Sequence, residues 1–141
     1  MKILKKELLL LLLLIAAAFT FRWFLIKDSY FSFYFDQARD AYISRQIIEQ
    51  KDIKIQGPSA SGTNDILYHG VLYYYLIGPI YTIFNGNPIP VTLFLNLVNS
   101  LNLIPIFLLA KLIFNQSSVG YLAAFLYAFS LDAAESGSFL S

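Results

Sequence analysis

The chain contains no cysteine, a single histidine and few charged residues. Without cysteine it forms neither disulfides nor thiolate metal sites, and His69 alone excludes a multi-histidine metal cage within one chain. Charged residues make up 13% of the sequence, about half the fraction usual in soluble domains. The net charge of +1 gives no general attraction to nucleic acid. With 57% hydrophobic residues and a mean hydropathy of +0.60, the composition predicts an integral membrane protein.

The first apolar run covers residues 8–26 and follows a basic start. A membrane-spanning helix needs about 20 such residues, so the run predicts a span whose lysine-rich N-terminus lies in the cytoplasm. The alternative is a cleaved signal peptide with a cleavage region at residues 16–18. The apolar run continues beyond that region, which favours an uncleaved anchor. Arg22 lies near the outer end, where we expect it to reach the interface.

Residues 27–87 are predicted to form an outside loop that contains interfacial helices. Residues 36–50 have helical spacing of acidic and apolar positions. Residues 66–84 are long enough to cross the membrane, but a crossing there would place Lys111 outside, against the positive-inside tendency. The tyrosines of this segment favour the headgroup layer. We therefore expect a surface or re-entrant helix at 66–84.

Residues 89–114 predict a second span, kinked at Pro105, and residues 118–134 a shorter third span. Together these elements predict an all-α integral membrane fold with about three transmembrane helices plus extracytoplasmic interfacial helices. Because three spans lack a closing element, we expect the chain to be the truncated N-terminal part of a larger multi-pass cell-membrane protein, inactive alone.

Asparagines recur at every third position of the second span, at Asn96, Asn99 and Asn102. Amides that face lipid are costly, so these side chains are expected to face another helix. The alternative is a transport path. Asp132 and Glu135, at the end of the third span, are either solvated or face an outer cavity.

Asp36 and Asp40 stand one helical turn apart, just beyond the first span. A poorly hydrated carboxylate can act as a general base near neutral pH or bind a divalent metal. The alternative is structural: Asp36 caps a helix, and Asp40 pairs with Arg39 or Ser44. Arg39 is a candidate for binding a lipid phosphate, although a solvated helix face explains it equally well.

Tyr68, His69 and Gly70 form the second candidate motif. A histidine at an interface can bind phosphate or metal beside the acidic pair. The alternative is a hydrogen-bonded structural histidine. Tyr68 and its neighbouring tyrosines are interpreted mainly as interfacial anchors, with sugar stacking as a second possibility.

The order of these motifs resembles the N-terminus of the GT-C membrane glycosyltransferases. The nearest group resembles the dolichyl-phosphate-mannose protein mannosyltransferases and the bacterial aminoarabinose transferase of lipid A. The acidic motif reads FDQARDA at 35–41, the second motif YHGVLYYYL at 68–76. Gly78-Pro79 and Gly86-Asn87-Pro88 continue the pattern before the long helix.

The resemblance implies transfer of a hexosyl or pentosyl group from a polyprenyl-phosphate donor at the extracytoplasmic face. The acceptor is a glycan, a lipid or a protein. Asp36 matches the catalytic acidic position, and His69 matches the position near the carrier phosphate and metal region. Arg39, Asp40 and Tyr68 are the further substrate-binding candidates.

A divalent metal, if bound, has Asp36, Asp40 and His69 as candidate ligands. Two residues depart from the family pattern: Gln37 replaces its second acid, and Val71 replaces its proline. The alternative function is a non-catalytic membrane transporter or assembly subunit whose functional surface is the asparagine stripe.

Overall fold

The computed structural model describes residues 5–27, 35–59 and 67–130, without the side chains of Ile26, Phe35 and Asp36. These residues form α-helices and no named strand, which confirms the all-helical prediction for the described part of the chain. The helices are α1 (Lys5–Lys27), α2 (Phe35–Glu49), α3 (Leu72–Ile83), α4 (Pro88–Leu101), α5 (Leu103–Phe114) and α6 (Ser117–Ala128). Two compact units result: α1, α5, α6 and most of α4 form the first, and α2 and α3 with their connecting loop form the second.

Within the described ranges, two helices are long and apolar enough to cross a membrane. The first is Lys5–Leu25, and the second is α4 and α5 together, Pro88–Phe114. They correspond to the predicted spans at 8–26 and 89–114. The predicted third span overlaps α6, an apolar helix of 12 residues, and stays a prediction. Its predicted end at 131–134, together with Asp132 and Glu135, lies outside the described residues.

The predicted second span, formed by α4 and α5, is interrupted at a single residue, Asn102. Pro105 has no N–H to donate to the carbonyl of Leu101, four residues earlier. The N–H of Asn102 instead donates to the carbonyl of Asn99 at 3.2 Å, a tighter turn. The Asn102 backbone keeps helical angles of φ −62° and ψ −15°. The discontinuity that Pro105 causes therefore falls three residues before the proline and does not end the rod.

Helix α6 packs through its smallest residues. Gly120, Ala124 and Ala128 recur every fourth position and are all buried. A Cβ atom on Gly120 would lie 2.8 Å from Phe107 Cδ2 and 2.9 Å from the Phe107 carbonyl oxygen. Small residues at this spacing let two helices approach closely, as is common between membrane helices.

Helix α1 contributes one buried stripe to the first unit. Its members share one face at intervals of three or four residues: Glu7, Leu11, Ile15, Ala18 and Arg22. The apolar members pack in the cluster formed by Leu103, Phe107, Ala124 and Ala128. Leu8, Leu9, Leu10, Leu12 and Leu13 on the other faces are exposed.

The contacts at the two ends of α1 define helix directions within the first unit. Lys111, in the last turn of α5, reaches Glu7 in the first turn of α1. Asn96, in α4, donates to the carbonyl of Phe19 near the other end of α1 at 3.1 Å. The α4–α5 rod therefore runs antiparallel to α1. Consequently, α5 ends beside the point where α1 begins.

In the second unit, α2 and α3 pack at Gly78. A Cβ atom there would lie 2.7 Å from the Ser44 carbonyl oxygen and 2.9 Å from Ile48 Cγ1, so a larger residue would separate the helices. At 12 residues, α3 rises about 18 Å, less than the ~30 Å hydrocarbon core. Its predicted surface placement within 66–84 stays a prediction.

Candidate functional site

The acidic motif lies at the start of α2, and its second carboxylate is on the buried face. Gln37, Asp40, Ser44 and Ile47 are buried at helical spacing. Asp36 lies in the first turn of the same helix, but its side chain is outside the described residues. The structure therefore brings Asp40 into the packed interface with α3, and the role of Asp36 stays a prediction.

Asp40 is only 3% exposed and is held by neighbouring donors. The Tyr74 hydroxyl donates to Asp40 Oδ1 at 3.1 Å. Arg39 donates to the same oxygen from Nε at 3.1 Å and lies 3.0 Å from it through Nη2. Ser44 Oγ donates to the Asp40 carbonyl oxygen at 2.6 Å. The structural alternative is thus present for the Asp40 side chain with Arg39, whereas Ser44 contacts only the backbone.

The negative charge of Asp40 contributes to the raised pKa values of three tyrosines in α3. Burial and then that charge raise the pKa of Tyr74 to about 12 and the pKa of Tyr81 to about 12. The same two causes, in the same order, raise the pKa of Tyr73. At neutral pH all three phenols are therefore protonated, and each can donate a hydrogen bond.

Two of these three hydroxyls form no hydrogen bond with any described residue. Tyr73 Oη and Tyr81 Oη are buried and have no hydrogen-bond partner in the described part of the chain. Buried polar atoms are normally satisfied, so two unused donors close to a buried carboxylate are notable. We call Asp40, Tyr73, Tyr74 and Tyr81 the Asp40 cluster. The cluster therefore combines two unused hydroxyl donors with a carboxylate that accepts hydrogen bonds.

His69 and Tyr68 lie in the loop before α3, and both are exposed. The His69 N–H donates to the Pro58 carbonyl at 3.0 Å, and the His69 carbonyl accepts from the Gly57 N–H at 3.1 Å. An isolated antiparallel bridge pairs Tyr68 with Ser59. The loop is therefore fixed by its backbone. Among the described residues, no hydrogen bond or ion pair joins either side chain to Asp40.

No group of three metal-binding side chains occurs among the residues that the structure describes. The predicted set was Asp36, Asp40 and His69, and the Asp36 side chain is not among those residues. Of the other two, Asp40 is buried and His69 is exposed. The divalent-metal prediction therefore stays a prediction.

The asparagine stripe of the second span serves helix packing. Asn96 donates to α1, as described above, and the Tyr127 hydroxyl of α6 donates to Asn99 Oδ1 at 2.5 Å. Asn102, at the interruption, is exposed. Two of the three amides therefore form hydrogen bonds between helices. This agrees with the expected role in helix packing, to which a transport path was the alternative.

Sequence reasoning missed the tyrosine members of the Asp40 cluster, because the tyrosines were interpreted as interfacial anchors. Their spacing contained the signal: Tyr74, Ile77, Gly78 and Tyr81 form the buried face of α3. No protein-family model, curated protein or solved structure matches the chain.

Proposed function

We propose that this chain is part of a GT-C type integral membrane glycosyltransferase that transfers a sugar from a polyprenyl-phosphate donor. The observation that carries the proposal is the burial of Asp40 at 3% exposure, held by Tyr74 and Arg39 one turn after Asp36. The second carboxylate of the acidic motif thus lies in a packed interface that also contains unused hydroxyl donors.

The exposed surface of both long helices supports membrane insertion. Only 22% of each apolar window is buried inside the chain, so most of that surface needs an apolar environment other than the chain itself. The antiparallel course of α1 and the α4–α5 rod returns the chain to the side where it starts. This supports a multi-pass topology with the N-terminus and the α5–α6 turn cytoplasmic, residues 27–87 extracytoplasmic and α6 starting a third span.

The chemistry needs a base, a cation and oriented hydroxyls. The acceptor hydroxyl attacks the anomeric carbon, its proton passes to the Asp36 carboxylate, and the bond from that carbon to the phosphate oxygen breaks. Polyprenyl phosphate leaves with the bonding electron pair. Arg39 stabilises the departing phosphate, and the Asp40 cluster orients sugar hydroxyls. A divalent metal held by Asp36, Asp40 and His69 would supply further positive charge when bound.

The test replaces Asp36 by asparagine at the native locus and measures sugar transfer from a labelled polyprenyl-phosphate donor in isolated membranes. We expect the rate to fall at least about a hundredfold, because the base is removed while the helix is retained. The control is Asp52→Asn, an exposed loop carboxylate paired with Lys54, which should leave the rate unchanged. Protein levels are compared by immunoblot.

An unchanged rate in Asp36→Asn would refute the enzymatic proposal. If, in addition, Asn99→Leu disrupted assembly or transport, the non-catalytic membrane component would be favoured. That substitution removes the acceptor of the Tyr127 hydroxyl. Its effect must therefore be compared with Tyr127→Phe, which removes the same hydrogen bond from the other helix.

A further inference from the structure

The buried stripe of α1 has a charged residue at each end, and only one of them has a counter-ion among the described residues. At the first end, Glu7 accepts from Lys111 Nζ at 2.7 and 2.8 Å and from Ser117 Oγ at 2.5 Å. At the other end is Arg22, fully buried. Its Nη2 donates to the Tyr127 carbonyl oxygen at 3.1 Å.

The remaining donors of Arg22 have no acceptor among the residues that the structure describes. Both Nε and Nη1 are buried without a hydrogen-bond partner. The Tyr127 ring lies 5.2 Å from the guanidinium carbon, a cation–π contact. A carbonyl and a ring do not neutralise a full positive charge, and no described carboxylate forms an ion pair with Arg22. A buried unpaired guanidinium is strongly unfavourable. An anion bound to Arg22 would remove this cost.

The depth of Arg22 indicates which anion is available. Arg22 follows Lys5 by 17 helical residues, a rise of about 25 Å. With Lys5 at one membrane surface and a hydrocarbon core of about 30 Å, Arg22 lies close to the opposite headgroup layer. Lipid phosphates are concentrated at that depth. The chain covers the Arg22 side chain completely.

We propose that Arg22 is the anchor of an anion site that binds the phosphate of a membrane lipid. Its Nε and Nη1 donate to the phosphate oxygens, which are strong charge-assisted acceptors. The half-buried Tyr127 ring covers the guanidinium, so entry requires that ring to rotate and its hydroxyl to leave Asn99. The inference is independent of sugar transfer, because a phospholipid and a polyprenyl phosphate present the same phosphate chemistry.

The experiment measures lipid binding to the purified, delipidated full chain by native mass spectrometry and by thermal shift. The probes are a polyprenyl monophosphate, phosphatidylglycerol, the uncharged polyprenol and inorganic phosphate. Arg22→Gln removes the charge, and Lys27→Gln is the matched control at the same end of α1. We expect both phosphate lipids to bind, and Arg22→Gln to weaken them at least about tenfold. Lys27→Gln and the polyprenol should show no such difference.

Preference between the two phosphate lipids identifies the source of the ligand. If Arg22→Gln does not purify as a folded protein, Arg22→Lys replaces it, and binding should weaken at least about threefold because the guanidinium donors are lost. Equal affinity in wild type and variant would overturn the proposal, as would phosphate lipids binding no better than inorganic phosphate. A double-mutant cycle on stability would also overturn it, if Asp132→Asn or Glu135→Gln showed a coupling energy with Arg22→Gln. Such coupling would mean that Arg22 pairs with a carboxylate of the chain.

Discussion

Glu7 and Lys111 are separated by 104 positions in the sequence, yet Lys111 Nζ lies 2.7 and 2.8 Å from the two carboxylate oxygens of Glu7. Their side chains are 11% and 13% exposed. The pair joins the first turn of α1 to the last turn of α5, and Tyr121 of α6 donates to the Glu7 carbonyl at 2.9 Å. One glutamate therefore connects three helices at one end of the first unit.

Removing the charge of Glu7 should destabilise this unit. Glu7→Gln leaves the mostly buried Lys111 ammonium without its counter-ion, at an expected cost of about 1–3 kcal/mol. The measurement is the midpoint of thermal unfolding in detergent. Glu49→Gln, which breaks the exposed pair with Arg45, is the control and should change stability by less than about 0.5 kcal/mol. Equal effects of the two substitutions would contradict a special role for the Glu7–Lys111 pair.

The same pair bears on membrane topology, because it places the start of α1 beside the end of α5. If both long helices cross the membrane, the loop between them and the turn after α5 lie on opposite sides. Cysteines introduced at Ser59 and Asn115, both exposed, should therefore react with a membrane-impermeant thiol reagent from opposite sides of intact cells or spheroplasts. Since the chain has no native cysteine, the background is low. Labelling of both from one side would refute the placement of 66–84 at the surface.

The position of the long apolar helices could be predicted from the sequence, because hydropathy over about 20 residues is a strong signal. The face through which each helix packs against its neighbours could not be predicted from the sequence. Residues 8–14 of α1 are all leucine, so hydropathy does not distinguish the buried Leu11 from the exposed Leu12. In a membrane, small residues and polar pairs specify the contacts. Gly120 and Glu7 identify the packed faces of their helices only when their partners, distant in sequence, are known.

The candidate site was predictable in part. Helical spacing placed Asp36 and Asp40 in one helix, and the structure has both in α2. The partners of Asp40 were not predictable, because Tyr74 is 34 residues away and its register depends on the close approach of α2 and α3 at Gly78. The sequence predicts His69 beside the acidic pair as a candidate ligand for phosphate or metal. Its exposure depends on loop backbone pairing that no side-chain pattern records.

The contact at Gly120 gives a direct test of helix packing in the first unit. Gly120→Ala adds a Cβ atom 2.8–2.9 Å from the ring and backbone of Phe107, so α5 and α6 must separate. We expect a loss of about 1–3 kcal/mol in thermal or denaturant unfolding. The matched control is Gly70→Ala, where nothing lies within 4 Å of the added atom. A Gly120→Ala protein as stable as the Gly70→Ala protein would show that the helices pack otherwise.

The phenol of Tyr74 gives a test of the Asp40 cluster that needs no knowledge of substrate. Burial and the charge of Asp40 raise the Tyr74 pKa from 10.0 to about 12. The unfolded chain therefore releases this proton at lower pH than the folded chain does. The stability from the protonated phenol is complete below pH 10 and is lost as pH rises toward 12. The measurement is phenolate absorbance during a pH titration, taken as the difference between wild type and Tyr74→Phe.

Asp40→Asn supplies the decisive comparison for that titration. The amide removes the negative charge but not the burial, so the Tyr74 transition should move to lower pH without returning fully to the value of a free tyrosine. Tyr81, whose pKa of about 12 has the same two causes, should move in the same direction. Because both phenols respond to one carboxylate, a shift in Tyr74 alone would place Asp40 away from Tyr81. An unchanged titration would mean that Asp40 does not face α3. Asp40 would then not belong to the cluster.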